Sequence, residues 1–475
     1  MGFKIRRHVC NQIISTLSAF SALSMMGFWM TWIAIALPKF KTGEVKIPWT
    51  EDQLMWMIIL FEIGSLIVPI PTGYLMDRFG RLLCIRMCSI FAFLASISAI
   101  NATSIYHFWA VRFFAGMSKG IAYTVTTVYV AEIAGPKIKG ALNGMFIVMV
   151  TLGGITTAGI GSIASLEALN WISLIFPALQ FLLILFAVES PYYFFIRNSE
   201  EAAEKALRHL RDRSEDMSTD KELEAIRRCV EDDKKRSKSL SVLLTEKGVR
   251  KALIIVLMGA IFQRIGGVNI YTTYVTSTLP SDDFWDFRVT FFIVSVISVF
   301  FSLLSLSLVD WCGRKPLLII SNVGASVATG ASAIFYYYHQ LTDVDVTRFI
   351  CVPHLCTILF GIFYVMGVGP IPHTLQGEML PARVKSQASA LFTITQGITN
   401  LSFFKICHIV DHRIGVYFMY FLSSVSSVIY VVFTLFVIIE TKGKSLPEIQ
   451  DKLNRRKGEK SLKEEQAAKL RLMTP

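Results

Sequence analysis

Charge is scarce in this sequence. Asp, Glu, Lys and Arg make up only 17% of its 475 residues, against 53% apolar or aromatic ones, and the mean hydropathy is positive. A soluble chain of this length carries more charge and seldom holds even one apolar run of eighteen residues. Also missing are a phosphate-cradling P-loop, a catalytic triad and any cluster with metal-ligand spacing. The sequence therefore points away from an enzyme and implies no cofactor, metal or ATP. The eight cysteines build no framework either. Cys88, Cys351, Cys356 and Cys407 fall inside apolar runs, and Cys10, Cys84, Cys229 and Cys312 fall in or beside basic segments, with no disulfide or zinc pattern.

What is present is the apolar run, repeated. About twelve spans can be placed, at 13–37, 54–76, 82–100, 106–134, 141–164, 170–188, 252–279, 287–309, 316–338, 349–377, 386–410 and 415–439. Each can cross about 30 Å of hydrocarbon at about 1.5 Å per residue. The expectation is an all-α membrane protein with twelve transmembrane helices, its surroundings the lipid bilayer.

The net charge of +12 raises nucleic acid as a partner, and its distribution removes it. With the N-terminus inside, about 36 Lys and Arg lie on the cytoplasmic side and about 6 outside, the positive-inside bias. Both termini are therefore expected in the cytoplasm. Lys4, Arg6 and Arg7 precede the first run and no small-residue cleavage site follows it, so it reads as a retained span. Asn101-Ala102-Thr103 is a glycosylation sequon at a span end on the expected outer side.

The longest hydrophilic stretch divides the chain into an N-terminal bundle at 1–188, cytoplasmic linker helices at 189–250, a C-terminal bundle at 251–439 and a cytoplasmic tail at 440–475. In the linker, Glu201–Lys205 and Glu204–Arg208 stand at i, i+4, as on a solvated helix. The halves echo each other. "DRFGR" at 77–81 matches "DWCGRK" at 310–315. "EIAGPKIKG" from Glu132 to Lys139 and beyond matches "EMLPARVKS" from Glu378 to Lys385 and beyond. "ESP" at Glu189 matches "ETKGK" at Glu440. Such repeats build secondary transporters, which hold a solute near the midplane between two bundles. Asp77, Arg78, Arg81, Glu132 and Lys139, with Asp310, Arg314, Glu378 and Lys385, form candidate gating clusters. Their charges could tie the halves together inside while the outside is open.

With these motifs in place, the chain resembles the sugar porter family of the major facilitator superfamily, and within it insect facilitated trehalose transporters. The matching residues include Gly73, Asp77, Arg78, Gly80 and Arg81; Arg112, Gly116 and Gly120; Tyr129 and Glu132; Glu189-Ser190-Pro191; Gln263 and Asn269; Asp310, Gly313, Arg314 and Lys315; "GVGPIP" at 367–372; Glu378; and "ETKGKSLPEI" at 440–449. The resemblance implies the major facilitator fold, two pseudo-symmetric six-helix bundles with a small cytoplasmic helical domain. It also implies a solute site between the bundles.

At that site the match is partial. Arg264 lies about 20 Å of helix from Lys251, too deep to reach water along its own stem, so it must face a hydrated cavity or a buried acid. Gly266-Gly267 weakens the helix and would let Gln263, Arg264 and Asn269 all turn inward, while Gln263, Gly267, Ile270 and Tyr274 share a face. In the family two glutamines and an asparagine occupy these positions, and Arg264 stands in place of the second glutamine. His373 replaces a tryptophan, Gln396-Gly397 an Asn-Trp pair, and Ile147 a polar contact, which removes two aromatic platforms. Lys139 and Lys385 replace arginines and lose the bidentate fork, and Val188 and Tyr192 break the usual pattern around Glu189. Gln263, Arg264, Asn269, His373 and Gln396 are the candidate substrate-binding residues. Glu62 and Lys119 lie at similar depth in one bundle and are expected to pair, since either charge alone is costly there. Trp29 stands where proton-linked relatives have an aspartate, which favours a uniporter over proton coupling through Glu62.

Three functions follow as expectations. The first is facilitative, alternating-access transport of a hexose or trehalose-like sugar across the plasma membrane. The second is transport of another small polar or anionic solute, with or without protons. The third is a non-transporting solute sensor. The only partner implied is a small molecule in the bilayer, with no obligate protein partner.

Overall fold

A backbone in hydrocarbon must satisfy its own hydrogen bonds, so apolar runs of this length fold as helices. The computed structural model describes residues 7–133, 139–211, 220–231 apart from 221, 225 and 229, 245–271, 279–280, 287–342, 349–444 and 446–454. The N-terminal bundle comprises α1 (Arg7–Lys41), α2 (Glu51–Ile67), α3 (Pro69–Phe79), α4 (Arg81–Ile100), α5 (Ile105–Ile133), α6 (Lys139–Ile163), α7 (Leu166–Ile172) and α8 (Ile175–Leu183). Short helices α9 (Pro191–Ile196) and α10 (Glu200–Leu210) follow. The C-terminal bundle comprises α11 (Lys247–Gln263), α12 (Phe287–Cys312), α13 (Arg314–Leu341), α14 (Cys351–Phe363), α15 (Pro370–Met379), α16 (Ala382–Arg413) and α17 (Val416–Phe436), with α18 (Leu446–Asn454) after it. Ten helical stretches are long and apolar enough to cross a membrane. The less apolar α5 and α16, at 29 and 32 residues, complete the twelve crossings. No strand occurs among the described residues.

Some expected spans are interrupted, each for a local reason. The second breaks at Val68, where Pro69 opens α3. The sixth divides into α7 and α8 because Pro177 has no N–H for the Ser173 carbonyl. Close crossings rely on glycine. A Cβ on Gly153 would lie 1.8 Å from Ser24 O, and one on Gly27 would lie 2.0 Å from Val150 O, so α1 and α6 touch backbone to backbone.

The two bundles meet along two seams, α6 against α12 and α2, α3 and α5 against α16, and α15 also packs on α6 and α5. The N-terminal bundle has one continuous core. The C-terminal core is split in two at the level where α11 and α14 unwind. The linker helix is less solvated than its charge pattern predicts. Arg208 Nε does bond Glu204 at 2.8 Å, but Ala203, Ala206, Leu207 and Leu210 are buried. Asn11 Nδ2 bonds His209 O at 3.0 Å, so α10 belongs to the first bundle. In the same way Lys251 Nζ bonds Leu453 O at 2.7 Å and ties α18 to the second.

Candidate functional site

The glycine pair acts as its position suggests. α11 ends at Gln263 and the chain continues as a π turn over Arg264–Val268, with Gly267 at φ 110°. A second π turn, Tyr364–Val368, interrupts α14 before Pro370 starts α15. Unwinding frees carbonyls, and at membrane depth these need donors. Gln263 supplies one: its Nε2 lies 2.8 Å from Gly369 O and 3.2 Å from Val368 O, joining the two breaks.

A crevice of about 160 Å³ opens beside these turns, lined by residues of both bundles. Gln263, Arg264 and His373 line it. Gln396 stands behind them, its Nε2 2.6 Å from Gln263 Oε1 and its Oε1 3.2 Å from Arg264 Nη2. Arg264 is buried and reaches across the seam, where its Nη2 also donates to Tyr123 OH at 3.4 Å. Its Nε meets no acceptor. Asn269 departs from the expectation that all three polar groups turn into one cavity. Its Nδ2 bonds Asn400 Oδ1 at 2.9 Å, and it lines a separate pocket of about 20 Å³ with Glu62 and Arg112. That volume suits about one water. Ile270 is buried, and Tyr274 lies outside the described residues.

Other rings gather around His373, one of the two positions where a family tryptophan is missing. His373 stacks on Tyr123 at 5.3 Å and 5°, and on Phe146 at 4.2 Å and 26°, with Phe392 edge-on at 4.9 Å. Tyr123 and Phe146 were missed by the sequence reading. The available signals were Tyr123 one turn beyond Lys119 and Phe146 beside Ile147, which itself lines the crevice.

Deeper in the first bundle, Glu62 and Lys119 meet: Lys119 Nζ lies 2.7 Å from each carboxylate oxygen. Arg112 donates to Met57 O at 2.9 Å and Trp29 O at 2.7 Å, with its guanidinium 4.0 Å from the Phe61 ring centroid.

The motif clusters form two clasps of the same plan, differing in that Arg81 grips its glutamate through Nε and Nη2 and Arg314 through Nη2 alone. Arg81 Nε and Nη2 donate to Glu132 at 2.9 Å each, and Nη1 to Met76 O at 3.1 Å, with Asp77 at 3.7 Å. Arg314 Nη2 donates to Glu378 at 2.8 Å and Nη1 to Val309 O at 3.1 Å, with Asp310 at 3.3 Å. Glu189 accepts the N–H groups of Arg81 and Leu82, both at 3.0 Å. Glu440 accepts those of Arg314 and Lys315 at 3.0 and 2.9 Å. Ser190 Oγ donates to Glu132, as Thr441 Oγ1 does to Glu378. All these partners lie within one bundle, not across the crevice as anticipated: Glu132 reaches Arg81 from the end of α5 and Glu189 from the chain before α9, and Glu378 reaches Arg314 from the end of α15 and Glu440 from the chain after α17. Arg78 lies outside the clasp, on Tyr74 OH at 3.0 Å and over the Phe79 ring. Lys385 Nζ bonds Gly377 O at 3.1 Å, and the Lys139 side chain lies outside what the structure describes.

Residues 10–453 match the family model described as "Sugar (and other) transporter". The chain belongs to that family. Among other transporters of this family, it is 26% identical over 420 residues to the facilitated trehalose transporter Tret1 of Bombyx mori, covering 88% of this chain and 82% of that one. It is 25% identical over 450 residues to Tret1 of Drosophila willistoni, where it spans 94% of its own length and about half, 51%, of the relative. Its fold is that of the proton:xylose symporter XylE bound to 6-bromo-6-deoxy-D-glucose. The TM-score is 0.78 at 21% identity, over 94% of this chain and 99% of that one.

Proposed function

We propose that this protein carries a sugar, hexose or trehalose-like, across the plasma membrane by facilitative alternating access, with both termini in the cytoplasm. The observation that carries this reading is Arg264. It is a buried side chain of the second bundle, bonded to Tyr123 of the first and Gln396 of the second at the edge of an inter-bundle crevice. Gln263, Arg264 and His373 would meet the solute, with Gln396 and Asn269 setting their geometry. A volume of about 160 Å³ favours a monosaccharide over a disaccharide. Asp77, Arg81 and Glu132, with Asp310, Arg314 and Glu378, would keep each bundle rigid as it rocks, and Arg78, Lys139 and Lys385 would serve the contact between them. Uniport is favoured because Glu62 is held by Lys119 and the first helix offers Trp29 where a proton carrier would stand.

The test is uptake of labelled glucose and trehalose into proteoliposomes, with and without an imposed pH gradient. Saturable entry that equilibrates and ignores the gradient is expected. Accumulation driven by protons would overturn uniport, and no saturable flux of any sugar would overturn the carrier.

A further inference from the structure

Buried charges in the membrane interior can be followed one by one. Glu62 gives both oxygens to Lys119, and Arg112 is satisfied by two carbonyls. Arg264 has only neutral acceptors, a tyrosine hydroxyl and an amide oxygen, and its buried Nε has none. Among the described residues no Asp or Glu lines the crevice. A guanidinium so placed lacks its natural complement, the two-oxygen edge of a carboxylate. With a neutral solute the guanidinium would have only the longer-range charge of Glu62, already bonded through both oxygens to Lys119, to offset it. A phosphate dianion would bring a second charge, and among the described residues lining the crevice there is no second Lys or Arg to meet it. The remaining walls suit a polar ring. Tyr123, Phe146 and His373, stacked on one another, form an aromatic wall, Ser298 and Thr357 add hydroxyls, and the buried His373 Nδ1 is unpartnered.

We propose that the solute is a monosaccharide-sized ring bearing one carboxylate, a sugar acid, with Arg264 as its counter-ion. This rests on the carrier reading above and specifies its substrate class.

The probes are D-glucuronate, D-glucose and pyruvate, tested on the full chain in proteoliposomes. Wild type is expected to take up glucuronate at least tenfold faster than glucose or pyruvate and to pass a current as it does so. Arg264→Gln should shift the glucose-to-glucuronate ratio at least tenfold toward glucose. Glucose moving while glucuronate does not would overturn the proposal and leave the carrier reading standing. No flux of any probe would overturn both. Equal flux of pyruvate would remove the ring, and an unchanged ratio in Arg264→Gln would remove the arginine. Should that variant fail to fold, detergent-solubilised wild type decides. Glucuronate, and not glucose at the same concentration, is expected to raise the melting temperature; equal shifts would count against the proposal.

Discussion

Lys119 Nζ sits 2.7 Å from both carboxylate oxygens of Glu62, at the middle of two helices of the same bundle. Removing one partner strands the other charge away from water, at a cost on the order of 3–5 kcal/mol, whereas removing both leaves nothing to strand. Glu62→Gln or Lys119→Met alone should therefore lower the melting temperature in detergent sharply. The double variant should recover most of the loss, as fluorescence-detected size exclusion after heating would report. Additive losses would mean the two side chains act separately.

Gly80 and Gly313, at φ 102° and 93°, make the turns under which Glu189 and Glu440 sit. A Cβ would approach Glu189 Oε2 to 2.4 Å at Gly80 and Glu440 Oε2 to 2.9 Å at Gly313. Left-handed backbone at a non-glycine residue costs about 1–3 kcal/mol before any collision. Gly80→Ala is expected to lose more thermal stability than Gly313→Ala; the reverse order would show that the carboxylates yield freely.

The same two acids are expected to respond oppositely to pH. Burial pushes Glu189 up and outweighs the N–H donors of Ser190, Leu82 and Arg81. At Glu440 burial also acts upward, but the N–H groups of Lys442, Arg314, Lys315 and Thr441 outweigh it and hold the group low. Glu440 then adds stability above its unfolded pKa of about 4.3, lost as pH falls through its folded value. Glu189 adds stability only below about 4.3, lost as pH rises through its folded value. At pH 7 Glu440→Gln should destabilise more than Glu189→Gln, with the gap narrowing toward pH 4. Thermal melts across that range check it, and a gap that widens on acidification contradicts it.

Gln263 joins two unwound helices through Val368 O and Gly369 O. Gln263→Ala leaves those carbonyls without a side-chain donor, at about 1–3 kcal/mol. Gln263→Glu sets an anion against them. Exchange flux in proteoliposomes should fall about tenfold for alanine and vanish for glutamate while the folded yield of the alanine variant persists. Full flux in the glutamate variant would show that the amide does not hold the break.

The fold was legible because lipid leaves a chain few options. Length, apolarity and the repeated Asp77 and Asp310 turns were enough for twelve helices in two halves. Arg264, Glu62 and Lys119 announced themselves as charges out of place. What was not legible depended on which neighbour a side chain meets. Asn269 shares a helix turn with Arg264, yet the left-handed Gly267 between them sends it to Asn400. The clasp arginines carry no sign in sequence of which bundle supplies their acids. Tyr123 and Phe146 are ordinary aromatics in apolar runs, and only the crossing of α5 and α6 against α15 makes them a wall for His373.

Each knot of arginine and glutamate draws all its members from its own side, and α10 and α18 are likewise fastened to their own sides. A polypeptide severed between residues 231 and 245 would therefore yield two fragments that each keep both partners of every clasp bond named above. Co-expressed, they would have the α6–α12, α2/α3/α5–α16 and α5/α6–α15 surfaces to find. That makes a split version of the protein, with a tag on each fragment, a direct gauge of how strongly the moving parts hold on to one another.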